Sequence, residues 1–193
     1  MRVQRLAEAL RSVEEAFLIG VPGTTELWLI RHADCYQDAG PDEDPPLSEL
    51  GRRQAERLAE RVSRLNVAAV YSSPHRRALE TARRLAADVR VDQRLREQEL
   101  QPDGSLSDFK EPPEAVVERM RAAVGDAAAA HPGGRVLVVT HALAILAYLC
   151  EVMRVEVGRL RVLPYYTSVS VVRIKGDRRM VGALGDTSHL ELD

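Results

Sequence analysis

The stretch Glu26-Leu-Trp-Leu-Ile-Arg-His-Ala33 decides how this chain is read. Residues 26–30 are mostly apolar, too few for a helix, and follow the breakers Gly20, Pro22 and Gly23. Such a run reads as a buried strand. It does not lead into a turn. It leads into Arg31 and His32, so a strand with an apolar interior delivers a guanidinium and an imidazole at its end.

Two other runs have the same form. Residues 135–140 contain Val-Leu-Val-Val, a buried strand by composition, and His141 follows at once. Residues 67–71 read as a strand followed by Ser72-Ser73-Pro74-His75-Arg76-Arg77. Between the strands lie helical segments. Residues 2–18 carry Val3, Leu6, Leu10, Val13 and Phe17 at helical spacing. Ser48 caps a helix to about residue 65, and Ser73-Pro74 supplies an N-cap and a first-turn proline for one to about residue 87. Pro113 opens a long Ala-rich helix ending near residues 131–134, and His141 starts another to about residue 153. Residues 89–100 read as extended or irregular, and 168–174 and 180–184 as a closing pair of strands around Gly176-Asp177. Strands alternating with helices predict an α/β fold, a three-layer α/β/α sandwich with a mainly parallel central sheet. Residues 1–25 are an amphipathic helix and linker, and 26–193 the main domain. The helix is expected to lay its apolar face on that domain or to pair two subunits as a homodimer.

Parallel strands bring their carboxyl ends to one edge, where open α/β sheets bind ligands. That edge gathers Arg31, His32, His75, Arg76, Arg77 and His141, with two helix N-termini. Singly, a histidine after a strand is an ordinary hydrogen-bonder, and Arg76-Arg77 an ordinary solvated helix face. Their conjunction at three strand ends predicts a site for a small, highly charged anion. Helix N-termini present free N–H groups, and arginine forks match phosphate oxygens in pairs. A phosphoryl group is the simplest such anion.

The whole chain is consistent with this reading. Its 193 residues suffice for one sizeable core, with 45% hydrophobic and 29% charged residues. A net charge of −2 gives no ground for a nucleic-acid partner. No apolar run reaches the roughly 18 to 20 residues of a membrane span. Cys35 and Cys150 are too few and too far apart for a disulfide framework or a zinc site. The N-terminal stretch lacks a signal-peptide apolar region, and the chain is read as cytoplasmic.

These residues resemble the histidine phosphatase superfamily, the fold group of the cofactor-dependent phosphoglycerate mutases. Arg31-His32-Ala33 is similar to the family's Arg-His-Gly signature. Residues 72–82 resemble its Ser-Ser-Pro-x-x-Arg-Ala-x-x-Thr-Ala block, in a register that selects Arg77 over Arg76 as the phosphate ligand. Leu95-Arg96-Glu97 resembles the segment bearing the acid, and 136–141 the strand before the second histidine. Residues 47–51 and 186–190 also look familial, so the resemblance covers about 26–190. It implies a phosphohistidine on His32, phosphate held by Arg31, Arg77 and His141, and Glu97 as proton donor, with no metal or cofactor. Glu99, two residues on, falls on the same side of an extended segment and stays an alternative acid.

The resemblance implies a phosphatase acting on a phosphate monoester, with a small phosphorylated metabolite or a phosphoprotein as partner. A phosphoglycerate mutase-like phosphomutase is the second reading; mutases of the family are usually longer around the acid and before the second histidine. A phosphate-binding regulatory pseudoenzyme is the third, because Ala33 and Ala142 stand where the family usually has glycine. An alanine disfavours positive φ, so either position would be impaired if it needed that backbone. The substrate's organic part is expected to meet the 34–46 loop and the 100–113 segment, where Phe109 is one of few aromatics; Asp38 lies near the register of the family's frequent asparagine, but its charge would repel phosphate and it takes no role.

Overall fold

In the computed structural model, which describes residues 2–36, 44–99 and 110–190, six strands form one sheet. They are β1 (Thr25–Arg31), β2 (Ala69–Ser72), β3 (Arg90–Val91), β4 (Arg135–Thr140), β5 (Val169–Lys175) and β6 (Arg178–Asp186). The order is β3-β2-β4-β1-β5-β6. The first four are mutually parallel, and β5 and β6 close the sheet antiparallel. The sheet is thus mainly parallel, and its last pair is the closing pair read from the sequence.

β1 lies between β4 and β5 and is covered on both faces, which is why its sequence is apolar without alternation. Leu27 and Leu29 point to one side, into a core with Val136, Val138, Val172 and residues of α4 (Pro113–Ala130) and α5 (Ala142–Met153). Trp28 and Ile30 point to the other, against Leu137, Val139, Val169 and residues of α2 (Glu49–Val62) and α3 (Arg76–Leu85). The successive side chains of one strand therefore build two cores, and three layers result. Trp28 is also flanked by the guanidinium groups of Arg61 and Arg135, 5.1 and 5.3 Å from its ring.

The helix starts follow their caps. The Ser48 side chain accepts from the Gly51 N–H at 3.0 Å, as its sequence position predicts. The first turn of α3 differs. The helix begins at Arg76 with His75 as its N-cap, and Ser73, read as the cap, is buried before it. Within the stretch read as extended or irregular, residues 89–99 hold the short β3 and a single 3-10 turn, Gln93–Leu95, capped by the Asp92 carboxylate.

The N-terminal helix α1 (Arg2–Ala16) forms as expected. Its stripe does not lie on the body where it is described: Leu10, Val13 and Phe17 are 57%, 56% and 53% exposed. Contact comes at its carboxyl end, where Leu18 is buried and Arg178 donates to the carbonyls of Glu15 and Ala16. Among the described residues no helix is long and apolar enough to cross a membrane. Asp38 and Phe109 lie outside the described residues.

Candidate active site

The strand register sets the site. Arg31 pairs with Thr140 across β1 and β4, and Ser72 with Val139 across β2 and β4, so three strands end level. The ladder continues one residue further, with His32 N–H on the Thr140 carbonyl and Ser73 N–H on that of Val139, both at 2.9 Å. Backbone hydrogen bonds therefore fix where His32 and Ser73 stand, and His141 follows β4 directly as the N-cap of α5. The rings of His32 and His141 meet edge-on at 5.1 Å, and those of His75 and His141 at 4.9 Å.

His32 is almost fully buried, and its Nδ1 lies 2.8 Å from the Ala33 carbonyl. A carbonyl only accepts, so Nδ1 carries the proton and Nε2 presents a lone pair. Arg77 Nε donates to that lone pair at 3.3 Å. Burial lowers the His32 pKa to about 3, opposed by the Ala33 hydrogen bond and reinforced by Arg77 and Arg31. The imidazole is consequently neutral at physiological pH. Burial, with His32 and Arg77 beside it, also holds His141 well below the usual histidine range.

His141 Nε2 lies 2.8 Å from Ser73 Oγ, which accepts the His75 N–H at 3.3 Å. When Ser73 directs its own proton to Nε2, the ring proton of His141 falls on Nδ1. That Nδ1 is buried and has no hydrogen-bond partner among the described residues. Arg31 Nε is in the same condition, while Arg31 Nη1 donates to the Pro164 carbonyl at 2.9 Å and the guanidinium lies 3.9 Å over the Tyr166 ring. Buried donors without partners are rare in native proteins and call for an acceptor.

An acid already occupies part of the region. Asp44 accepts the Arg76 N–H at the start of α3 at 2.6 Å and lies 3.4 Å from Arg77 Nη1. A carboxylate on a helix N-terminus and a guanidinium shows what this corner attracts.

Glu97 reaches the first turn of α5. One oxygen accepts from the Gln98 N–H at 2.9 Å and the Ala144 N–H at 3.0 Å, and the other from the Leu143 N–H at 3.4 Å. Burial raises its pKa, while those N–H groups and Arg77 pull the other way. Glu99 is exposed and ion-paired with Lys110 at 3.0 Å. Of the two carboxylates, Glu97 is the one held, half-buried, against the helix that His141 caps.

The two alanines need no unusual backbone. Among the described residues the non-glycine positions at positive φ are Leu18, Arg154 and Thr167. Ala33 is fully buried beside Leu47 and Ala55, and its N–H donates to Thr81 Oγ1 at 3.0 Å. Ala142 is the first residue of α5.

Four residues here escaped sequence reasoning. Ser73 had a competing reading as a cap. Thr81 bridges the Ala33 N–H and the Arg77 carbonyl, and only its place in the 72–82 block pointed to it. Tyr166 had no local signal. Thr167, at φ 55°, turns its N–H onto the carbonyls of Arg31 and His32 at 3.0 and 3.4 Å. The 186–190 segment braces it, with His189 Nε2 3.0 Å from Thr167 Oγ1 and Asp186 paired to Arg61 at 2.6 Å. Among the described residues no group of three or more His, Cys, Asp or Glu is arranged to hold a metal ion.

Comparison with known proteins identifies the fold and the family. Phosphoglycerate mutase-like protein 4 of Arabidopsis thaliana is 31% identical over 180 residues, covering 77% of each chain. Phosphoserine phosphatase 1 of Hydrogenobacter thermophilus is 26% identical over 198 residues, covering 86% of this chain and 94% of the other. The solved structure of YhfR from Bacillus stearothermophilus superposes with a TM-score of 0.77 at 27% identity, over 86% of this chain and all of that one. The family model of the histidine phosphatase superfamily (branch 1) matches residues 27–103 and 98–187, nearly the whole main domain, and the chain belongs to that superfamily.

Proposed function

We propose that the protein is a metal-independent phosphatase that hydrolyses a phosphate monoester through a phosphohistidine on His32. The observation that carries the reading is the state of His32. It is a buried, neutral imidazole whose Nδ1 is tied to the Ala33 carbonyl, so that Nε2 faces the site with its lone pair. Around it stand Arg77, Arg31 and His141, the last two with buried nitrogens, Nε and Nδ1, that lack partners among the described residues.

The reaction then follows in two transfers. His32 Nε2 attacks phosphorus in line, the N–P bond forms and the ester P–O bond breaks. Protonated Glu97 gives its proton to the leaving alkoxide. Burial favours the protonated carboxyl that this step needs. Arg31, Arg77 and His141 bind the equatorial oxygens, Arg77 exchanging its contact with His32 Nε2 for one to substrate. Water then attacks the phosphohistidine, Glu97 takes the proton, the N–P bond breaks and phosphate leaves. Alignment and charge stabilisation are most of what phosphoryl transfer demands of a protein.

The relative named a phosphoserine phosphatase supports hydrolysis, and the relative named phosphoglycerate mutase-like supports the phosphomutase alternative. The substrate class that fits is a small phosphorylated metabolite. The test is a panel of phosphomonoesters assayed for released phosphate with chelator present, together with acid-labile phosphate trapped on the protein. Release and trapping by the wild type, and neither by His32→Ala, are expected. Phosphate returned to a second hydroxyl instead of water would establish the mutase. Phosphate binding with no turnover and no trapped intermediate would establish the pseudoenzyme.

A further inference from the structure

The segment carrying Glu97 belongs to no regular element: after the 3-10 turn at Gln93–Leu95 the chain runs without helix or strand to residue 99. Its carbonyls need donors from elsewhere. They find them on one side chain of α4. Arg119 Nη1 donates to the carbonyls of Arg94 and Arg96, both at 2.7 Å, and Nη2 to that of Glu97 at 3.2 Å. Its remaining donors go to Glu111, Nε to Oε1 and Nη2 to Oε2, each at 2.8 Å. All five N–H groups of the guanidinium are thereby engaged, three on the backbone that bears the carboxylate.

Glu111 completes the clamp. It also accepts from Arg96 Nη2 at 3.0 Å, its carbonyl accepts from Gln98 Nε2 at 2.9 Å, and its N–H donates to the Glu99 carbonyl at 3.2 Å. Arg119 and Glu111 side chains are only 9% and 10% exposed, so the pair is shielded from solvent. A lysine has the charge but not the planar fork, and cannot reach three carbonyls and a carboxylate together.

The geometry points to Arg119 as a positioning residue for Glu97: a guanidinium on α4 that fixes the backbone of residues 94–97 and so aims the proton-donating carboxyl at the leaving group. This inference rests on the proposed role of Glu97 as the acid. The carboxyl is held at its tip by the N–H groups of α5 and at its root by Arg119 on α4. Two helices thus define its position. Releasing the root lets the carboxyl move away from the bridging oxygen while His32 and its phosphate ligands stay in place.

The experiment compares Arg119→Lys with Glu97→Gln and the wild type on phosphate esters of graded leaving-group pKa, aryl to alkyl, with thermal melting of each protein. A weak leaving group needs the acid and a good one does not. On alkyl esters Glu97→Gln is expected to lose on the order of a hundredfold or more in kcat, the range a general acid supplies, and Arg119→Lys a substantial part of that; both should change little on activated aryl esters. The double variant should lose no more than Glu97→Gln alone. Glu111→Gln, which preserves shape and weakens the clamp, should show the same pattern in smaller measure, and carries the test if Arg119→Lys does not fold. A leaving-group dependence in Glu97→Gln that is absent from both clamp variants, with only the melting temperature lowered, would overturn the positioning role alone. No dependence in Glu97→Gln would overturn the acid reading, and this inference with it.

Discussion

Replacing His32 by asparagine should make the protein less sensitive to acid. Folded His32 has its pKa lowered to about 3 from an ordinary 6.5. Between these values the unfolded chain binds a proton that the folded chain refuses, so stability falls as pH falls. At pH 7 both states are essentially neutral and the effect vanishes. At about pH 5 the unfolded histidine is almost fully protonated and the folded one is not, and linkage gives a loss of about 2 kcal/mol from this one residue. The loss continues down to about pH 3. Asparagine does not titrate, and its amide keeps a donor for the Ala33 carbonyl. Urea unfolding at the two pH values is the assay. Phosphate-free buffer is required, because an anion that binds only the folded state adds its own stabilisation. For a slope near 2 kcal/mol per molar urea, the wild-type midpoint should fall between pH 7 and pH 5 by about 1 M more than the variant's. His141 and the carboxylates titrate in both proteins, and burial, the main cause of the His141 shift, is common to both, so most of the difference is that of His32. Equal falls would refute the argument that His32 is held neutral by burial.

Three further outcomes follow from contacts around the site. A Cβ on Gly51 would lie 1.9 Å from the Asp34 carbonyl oxygen, two residues after His32, so Gly51→Ala should cost about 1–3 kcal/mol by overpacking. Its check is a lowered urea midpoint at unchanged slope. Thr81→Val leaves the buried Ala33 N–H without its acceptor and should cost about 1–3 kcal/mol, with slower turnover because Ala33 also anchors the His32 ring; an unchanged melting temperature would count against it. Arg77→Lys keeps a charge but loses the fork, and kcat/KM should drop roughly tenfold to hundredfold, the worth of a charged hydrogen bond or two. A steady-state assay that finds no drop would remove Arg77 from phosphate binding.

The parts of the fold readable in the sequence are those governed by neighbours along the chain. The run Leu27–Ile30 had to be buried on both faces because it does not alternate, and the residue after it had to stand at the sheet edge. Arg31, His32 and His141 were placed by that reasoning alone. Glu97 was not: nothing in its local sequence separates it from Glu99, and only the resemblance chose between them. The distinction is tertiary, because Glu97 reaches N–H groups of Leu143 and Ala144 in a distant helix. Ser73 shows how a local rule misleads. Serine before proline is a sound cap signal, yet the hydroxyl is taken by His141, 68 residues later. Tyr166 and Thr167 act through Arg31 and His32, more than a hundred residues earlier, and no spacing rule connects them. The apolar spacing of α1 correctly gave a helix but not what lies against it.

The one tryptophan of the chain, Trp28, sits three residues before Arg31 on the strand that supplies both Arg31 and His32. It is 8% exposed, between two guanidinium groups, with its indole Nε1–H unpartnered among the described residues. The protein therefore carries one indole fluorophore, excited selectively over the five tyrosines at the red edge of absorption, at a position where quenching by water is low in the native state and high in the unfolded one. Emission reports the integrity of the strand that leads into Arg31 and His32, without a label and without contributions from a second indole. Every unfolding experiment described above can be read from that single signal.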